Sequence, residues 1–166
     1  MKYIFFKDVD TVEELYNQYK RLAMQYHPDH GGRLEDMQQI NAEYDELKKI
    51  VGNIHKAANG ETYQSERQNA EAPDRFKDII NAVINFDIDL ELCGCWLWAF
   101  NAYNYKDQLK NLGFFYCSKK RAWAWTDELN PKKNKHTMTL DEIRENYGSE
   151  VIKTRKNDIK QIEAAI

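Results

Sequence analysis

Two apolar stripes of helical spacing flank a short segment that cannot continue a helix, and this pattern constrains the N-terminal part of the chain most. Val12, Leu15, Tyr19, Leu22, Ala23 and Tyr26 recur at offsets of three, four and seven, the signature of an amphipathic helix. Thr11 suits its N-cap, and Glu14 three residues later completes a capping box. Pro28 disfavours the α region at His27, so the helix is predicted to stop at Tyr26. Asp29-His30-Gly31-Gly32 permits a turn, and Met37, Ile40, Tyr44, Leu47 and Val51 begin a second stripe. Two such helices joined by a short loop bury their stripes against each other as an antiparallel pair. The second helix is expected to fray out near Ala58, which makes His55 a solvated helix-end histidine.

The 166 residues leave room for one ordinary domain or two small ones. A net charge of -3 excludes a histone-like polycation and a wholly acidic tail. Ile, Leu, Val and Phe supply 36 residues, just above the roughly 20% floor for a packed core. No run approaches the roughly 18 apolar residues of a membrane span, and the N-terminal apolar stretch is too short for a secretory signal. Three cysteines argue against a disulfide framework. The expectation is a soluble protein of a reducing, cytoplasmic compartment, with no membrane partner.

His27, Pro28 and Asp29 fall at the tip of the hairpin, where a core role is not expected. Tyr19-Lys20-Arg21-Leu22-Ala23-Met24-Gln25-Tyr26-His27-Pro28-Asp29 resembles the second helix and loop of the J-domain, the DnaJ co-chaperone module. Ile40-Asn41-Ala42-Glu43-Tyr44-Asp45-Glu46-Leu47 resembles its third helix. The His-Pro-Asp-x-Gly-Gly loop is similar to the minimal J-domains of polyomavirus T antigens and mitochondrial import co-chaperones. The resemblance covers about residues 3 to 50. It implies docking on a DnaK-type chaperone ATPase and stimulation of ATP hydrolysis, so that a bound client protein is captured. His27, Pro28 and Asp29 match the signature that touches the ATPase, and Lys20 and Arg21 match the basic face of the second helix.

The chain departs from the family pattern at several places. Asn17, Gln18 and Gln25 stand where the family is often basic, and Tyr3-Ile4-Phe5-Phe6 replaces the usual first helix. The fourth-helix signature, a Gly/Phe-rich segment and a cysteine-repeat finger are all missing.

From Gly52 to Asp74 there is no Leu, Phe or Trp. The domain reading is therefore a J-domain-like helical hairpin over 1–58, a flexible polar linker over 59–74, an α+β domain over 75–155 and a polar tail over 156–166. The fold class is an all-α hairpin followed by a small α+β domain with an antiparallel, aromatic-rich sheet. Phe76, Ile79, Ile80, Val83 and Ile84 open that domain with helical spacing. Residues 88–100 alternate as one long strand, with Ile88, Leu90, Leu92, Trp96, Trp98 and Phe100 on one face and Gly94 marking a bend. A short helix over Tyr105–Leu112 closed by Gly113, a hairpin over 114–125, a helix from Thr139 to Tyr147 and a strand over 150–154 complete the order.

Ten of the 21 aromatic residues lie between Trp96 and Trp125. They either fill a core poor in aliphatic side chains or form a base-stacking platform. In the second case Trp123 and Trp125 would stack bases beside Lys119, Lys120, Arg121, Lys132, Lys133 and Lys135, in a segment of local charge +4 over 116–136. Residues 112–125 also resemble a Gly-Phe…Ser-x-Lys…Ala-Trp-x-Trp motif of small accessory domains in bacterial and phage proteins. Cys93, Cys95, Cys117 and His136 lack the paired-knuckle spacing of a zinc site, and no nucleophile–base pattern or phosphate loop stands out.

The leading expectation is a non-enzymatic J-domain co-chaperone without a cofactor, whose C-terminal domain binds a client or partner. The alternative is a phage or mobile-element protein, nucleic-acid-binding or a counter-defence inhibitor, that uses the J-fold as an interaction module.

Overall fold

The computed structural model describes residues 2–52, 54–57, 59–64, 75–126, 139–147 and 150–153, in two compact units, Met1–Ile84 and Asn85–Ile166. No helix among the described residues is long and apolar enough to cross a membrane.

In the first unit, α1 (Val12–Tyr26) and α2 (Leu34–Val51) form the antiparallel hairpin that the two stripes predict. The Glu14 N–H donates to the Thr11 hydroxyl, and the Glu14 carboxylate accepts from the Asp10 N–H, a back-bond displaced by one residue from the usual capping box. α2 ends at Val51, seven residues earlier than the fraying helix expected, and Gly52 (φ +52) takes the chain out of helical geometry. Beyond it, β1 (Ile54–Lys56) pairs antiparallel with β2 (Thr62–Gln64). Residues 59–64 are thus a turn and a strand rather than part of a linker, and 65–74 lie outside the described residues.

His55 is correspondingly buried on β1, not solvated at a helix end. Its Nδ1 lies 2.8 Å from Glu13 Oε1, and its ring stacks on Tyr63. Glu13 also accepts the Lys56 N–H, so one α1 carboxylate anchors the small hairpin.

α3 (Arg75–Val83) belongs to this first unit, not to the C-terminal domain in which its sequence position would put it. Phe76 stacks face to face on Tyr16 of α1, ring centroids 3.8 Å apart, and Lys77 pairs with Asp45 of α2 at 2.6 Å. The buried Tyr19 hydroxyl joins all three helices: it donates to Asn41 Oδ1 (2.9 Å) and accepts from Asn81 Nδ2 (3.1 Å). A buried hydroxyl satisfied on both sides avoids the desolvation penalty that makes lone buried polar groups costly.

Among the described residues, the N-terminal segment before α1 has no helix. It is held to α2 by Glu43, whose carboxylate accepts the backbone N–H groups of Ile4 (2.9 Å), Phe5 (3.0 Å) and Phe6 (3.3 Å) and the Gln39 amide (3.0 Å). Gln18 grips both the N–H and the carbonyl of Lys7. Phe6 is buried and Phe5 meets Tyr26 edge-on.

The second unit is a five-stranded antiparallel sheet in the order β5-β6-β4-β3-β7, with α4 (Lys106–Asn111) and α5 (Leu140–Tyr147). Its strands are β3 (Asp89–Cys93), β4 (Trp96–Phe100), β5 (Phe115–Cys117), β6 (Ala122–Thr126) and β7 (Glu150–Lys153). The alternating run 88–100 is two strands and not one. It folds back at Gly94 (φ +60) and Cys95, so Cys93 faces Trp96. The reversal inverts the parity of the faces. Leu90 and Leu92 share theirs with Leu97, Ala99, Trp123 and Trp125, while Trp96, Trp98 and Phe100 join Glu91, Cys93 and Ala124 on the other.

α5 covers this second face with Leu140 and Ile143. Glu91, buried in the sheet, receives Arg144 of α5 through two hydrogen bonds, Nε–Oε1 at 2.6 Å and Nη2–Oε2 at 2.8 Å. Those bonds hold the guanidinium above its ordinary pKa, against the opposing effect of burial.

Burial alone would raise the pKa of Glu43, but the hydrogen bonds from Gln39, Ile4, Phe5 and Phe6 together outweigh it and hold the group below its ordinary 4.5. A carboxylate depressed in the folded state stabilises fully above its unfolded pKa, and that contribution disappears as pH falls through the lower folded value. Glu43→Gln is therefore expected to lower unfolding stability at neutral pH by about 1–3 kcal/mol. The stability curves of the variant and the wild type should converge on acidification below about pH 4.5. Parallel curves in pH-dependent urea unfolding would contradict the clasp.

Candidate docking site at the tip of the helical hairpin

His27 ends α1 in an extended conformation (ψ 135) and still donates its N–H to the Ala23 carbonyl at 3.0 Å. Pro28–His30 then make one 3-10 turn, with Pro28 at its start, where a missing N–H costs nothing. The His27 carbonyl accepts two backbone donors, from His30 (2.9 Å) and Gly32 (3.1 Å), and Gly31 donates to the Pro28 carbonyl. The backbone of the tip is thus closed on itself.

The side chains complete the closure. His27 Nδ1 accepts the Asp29 N–H at 3.2 Å, so a neutral imidazole carries its proton on Nε2, which no described residue engages. His30 Nδ1 donates to the Met24 carbonyl at 3.1 Å, tying the far side of the turn back to α1. Pro28 and Asp29 are exposed, and the ring of His27 is partly so. The result is a short rigid tip that presents an imidazole N–H, a pyrrolidine face and a carboxylate.

Both glycines are needed for different reasons. Gly31 is left-handed (φ +89) with open space around it. At Gly32 an added Cβ would overlap the Tyr26 carbonyl, so the returning chain packs its backbone directly on the last turn of α1.

The two cations expected on the docking helix divide. Arg21 is exposed, but Lys20 is 0% exposed and does not lie on an open basic face. Four residues separate Lys20 from Tyr16 and three from Ala23, both buried, so helical spacing puts it on the packed side of α1. Gln18, at a position where the J-domain pattern is often basic, serves instead to hold Lys7.

The candidate nucleic-acid residues divide as well. Trp123 and Trp125 are buried, so they belong to the core and are not a stacking platform. Lys119, Lys120 and Arg121 do form an exposed to half-exposed turn between β5 and β6. Lys132, Lys133, Lys135 and His136 lie outside the described residues. None of the three cysteines forms a disulfide, and Cys93 and Cys117 pack in the apolar cluster around Trp98.

Sequence reasoning put Gly32 in the turn without its close approach to Tyr26, and it did not single out Glu43 or the Tyr19 hydroxyl. An acid inside the apolar series Ile40, Tyr44 and Leu47 was the available signal for Glu43, because three residues from Ile40 places it near the buried stripe. The other two depend on approaches between elements that no local pattern encodes.

No family model matches the chain, and no similar protein was found among curated proteins or solved structures.

Because Gly32 leaves no room for a side chain whereas Gly31 needs only its backbone conformation, alanine at the two positions should differ in effect. Gly31→Ala is expected to cost about 1–2 kcal/mol. Gly32→Ala must separate the loop from Tyr26 and should cost more, with altered chemical shifts across His27–Gly32. Equal urea midpoints for the two variants would refute this packing.

Proposed function

We propose that the chain is a J-domain-type co-chaperone that docks the tip of its helical hairpin on a DnaK-type chaperone ATPase and accelerates ATP hydrolysis there. The observation that carries this reading is the state of His27, Pro28 and Asp29. The backbone groups of His27 and Pro28 and the Asp29 N–H are bonded to α1 and within the turn, while the Asp29 side chain is exposed and Nε2 of His27 is engaged by no described residue. A tip already ordered before contact loses little conformational entropy on docking.

The chemistry of ATP hydrolysis belongs to the partner, and this chain supplies the contact that shifts the partner toward its hydrolysing state. With Lys20 buried, Arg21 is the exposed cation of α1. Electrostatic steering is accordingly modest, and the shape and hydrogen bonds of the tip carry specificity. The N-terminal segment clasped by Glu43 takes the place of a first helix by covering α2, so the hairpin does not need a longer N-terminal element to be stiff.

The test is single-turnover ATP hydrolysis by a DnaK-type chaperone with wild-type protein and with His27→Gln. Wild type should raise the rate above basal and His27→Gln should return it to basal, with thermal unfolding of the variant unchanged. An unchanged basal rate with wild type, or equal stimulation by both, would overturn the proposal.

A further inference from the structure

The sheet of the second unit ends at β5, which among the described residues hydrogen-bonds to β6 alone. An antiparallel edge strand turns the N–H and C=O groups of alternate residues outward, a template for one more strand. Edges that avoid such pairing carry a charge or a proline, and Phe115-Tyr116-Cys117 has neither. It carries two exposed aromatic side chains instead, Phe115 at 47% and Tyr116 at 54%.

The two rings stand on opposite faces of the sheet. Phe115 meets Trp96 edge-on at 6.1 Å, and Tyr116 leans on Trp123 at 5.3 Å. Immediately after the strand come Lys119, Lys120 and Arg121, and none of them has an acidic partner among the described residues. Lys120 lies over the Trp98 ring, its Nζ 5.5 Å from the centroid.

We infer that the β5 edge is a docking site for an extended acidic peptide segment, which adds beside β5 as a sixth strand with its acidic residues at the Lys119–Arg121 turn. Three features select this occupant. The unpaired backbone of the edge matches another polypeptide backbone. A strand's side chains alternate between faces, so one added strand reaches Phe115 on one side and Tyr116 on the other. The cations of the turn, which have no acidic partner among the described residues, answer to carboxylates.

Other occupants fit less well. Stacking of successive bases needs aromatic rings on a common face, whereas Phe115 and Tyr116 are opposed and Trp123 and Trp125 are buried. A second copy of β5 would bring no acid to the cationic turn. The surface is independent of the hairpin's proposed partner and stands or falls separately.

The experiment is fluorescence anisotropy of the full-length protein with labelled peptides carrying three aspartates at one end or the other of a Val-Thr-Val-Thr segment. Controls replace the aspartates with lysines, methylate alternate backbone amides in each of the two registers, or substitute a short oligothymidylate. One aspartate peptide should bind, and the lysine version and one methylated register should bind at least about tenfold more weakly. Lys119→Glu with Arg121→Asn should weaken binding about tenfold, a change of 1.4 kcal/mol. Asparagine suits the left-handed backbone at 121 (φ +50), and Lys120 is left in place over Trp98.

No binding of either aspartate peptide, indifference to both methylated registers, or preference for oligothymidylate would each overturn the inference. Because the peptide controls all use the wild-type protein, a poorly folding variant does not shelter it. His27→Gln should bind the peptides as wild type does, which separates this result from the ATPase measurement.

Discussion

The first unit depends on a single close approach, the backbone of Gly32 against the carbonyl of Tyr26. That contact lets the chain reverse between α1 and α2 within seven residues, and the reversal sets the register of everything packed on the hairpin. With the helices so placed, Tyr19 of α1 stands opposite Asn41 and Tyr44 of α2. Asn81 of α3 can then complete the hydroxyl's hydrogen bonding, and Phe76 can stack on Tyr16. A looser turn would separate these groups and leave a buried hydroxyl unsatisfied, a penalty of about 1–3 kcal/mol.

The same closure makes the tip stiff, which connects packing to the proposed docking. His27 is bonded through its N–H, its carbonyl and Nδ1, so its ring has little freedom. The Asp29 N–H, two residues on, belongs to the same network. A flexible loop with the same three residues would have to order them at the moment of contact, at about 1–2 kcal/mol for each backbone residue fixed. Rigidity is therefore part of the proposed activity, and it originates in the close approach of Gly32 to Tyr26.

The elements with a strong local signal were legible in the sequence. The stripes of α1 and α2, the cap at Thr11, the stop before Pro28, the α4 helix closed by Gly113 and the β5–β6 hairpin all follow from periodicity and turn chemistry. What was not legible depends on distance. The polar stretch after α2 has no period, yet it pairs as β1 and β2 because Glu13, forty-two residues from His55, anchors it. The helix Arg75–Val83 was expected to open the C-terminal domain, and it is the contacts of Phe76, Lys77 and Asn81 with α1 and α2 that place it in the first unit. The run 88–100 alternates perfectly as one strand, and a two-residue turn at Gly94 reverses every face assignment beyond it. At the candidate site, His27, Pro28 and Asp29 were legible as a motif. Lys20 was not correctly placed, because a lysine on a helix is ordinarily solvated and this one is buried.

The central claim is that the His27–Gly32 tip is the surface that meets a DnaK-type chaperone. Isotope-labelled protein titrated with such a chaperone in its ATP-bound state tests it most directly, with backbone amide signals followed residue by residue. The account predicts loss or shift of signals concentrated at His27–Gly32 and the adjoining face of α1 around Arg21, with α3 and the sheet of the second unit unaffected. Perturbation confined to other parts of the chain, or none at saturating chaperone, would contradict it.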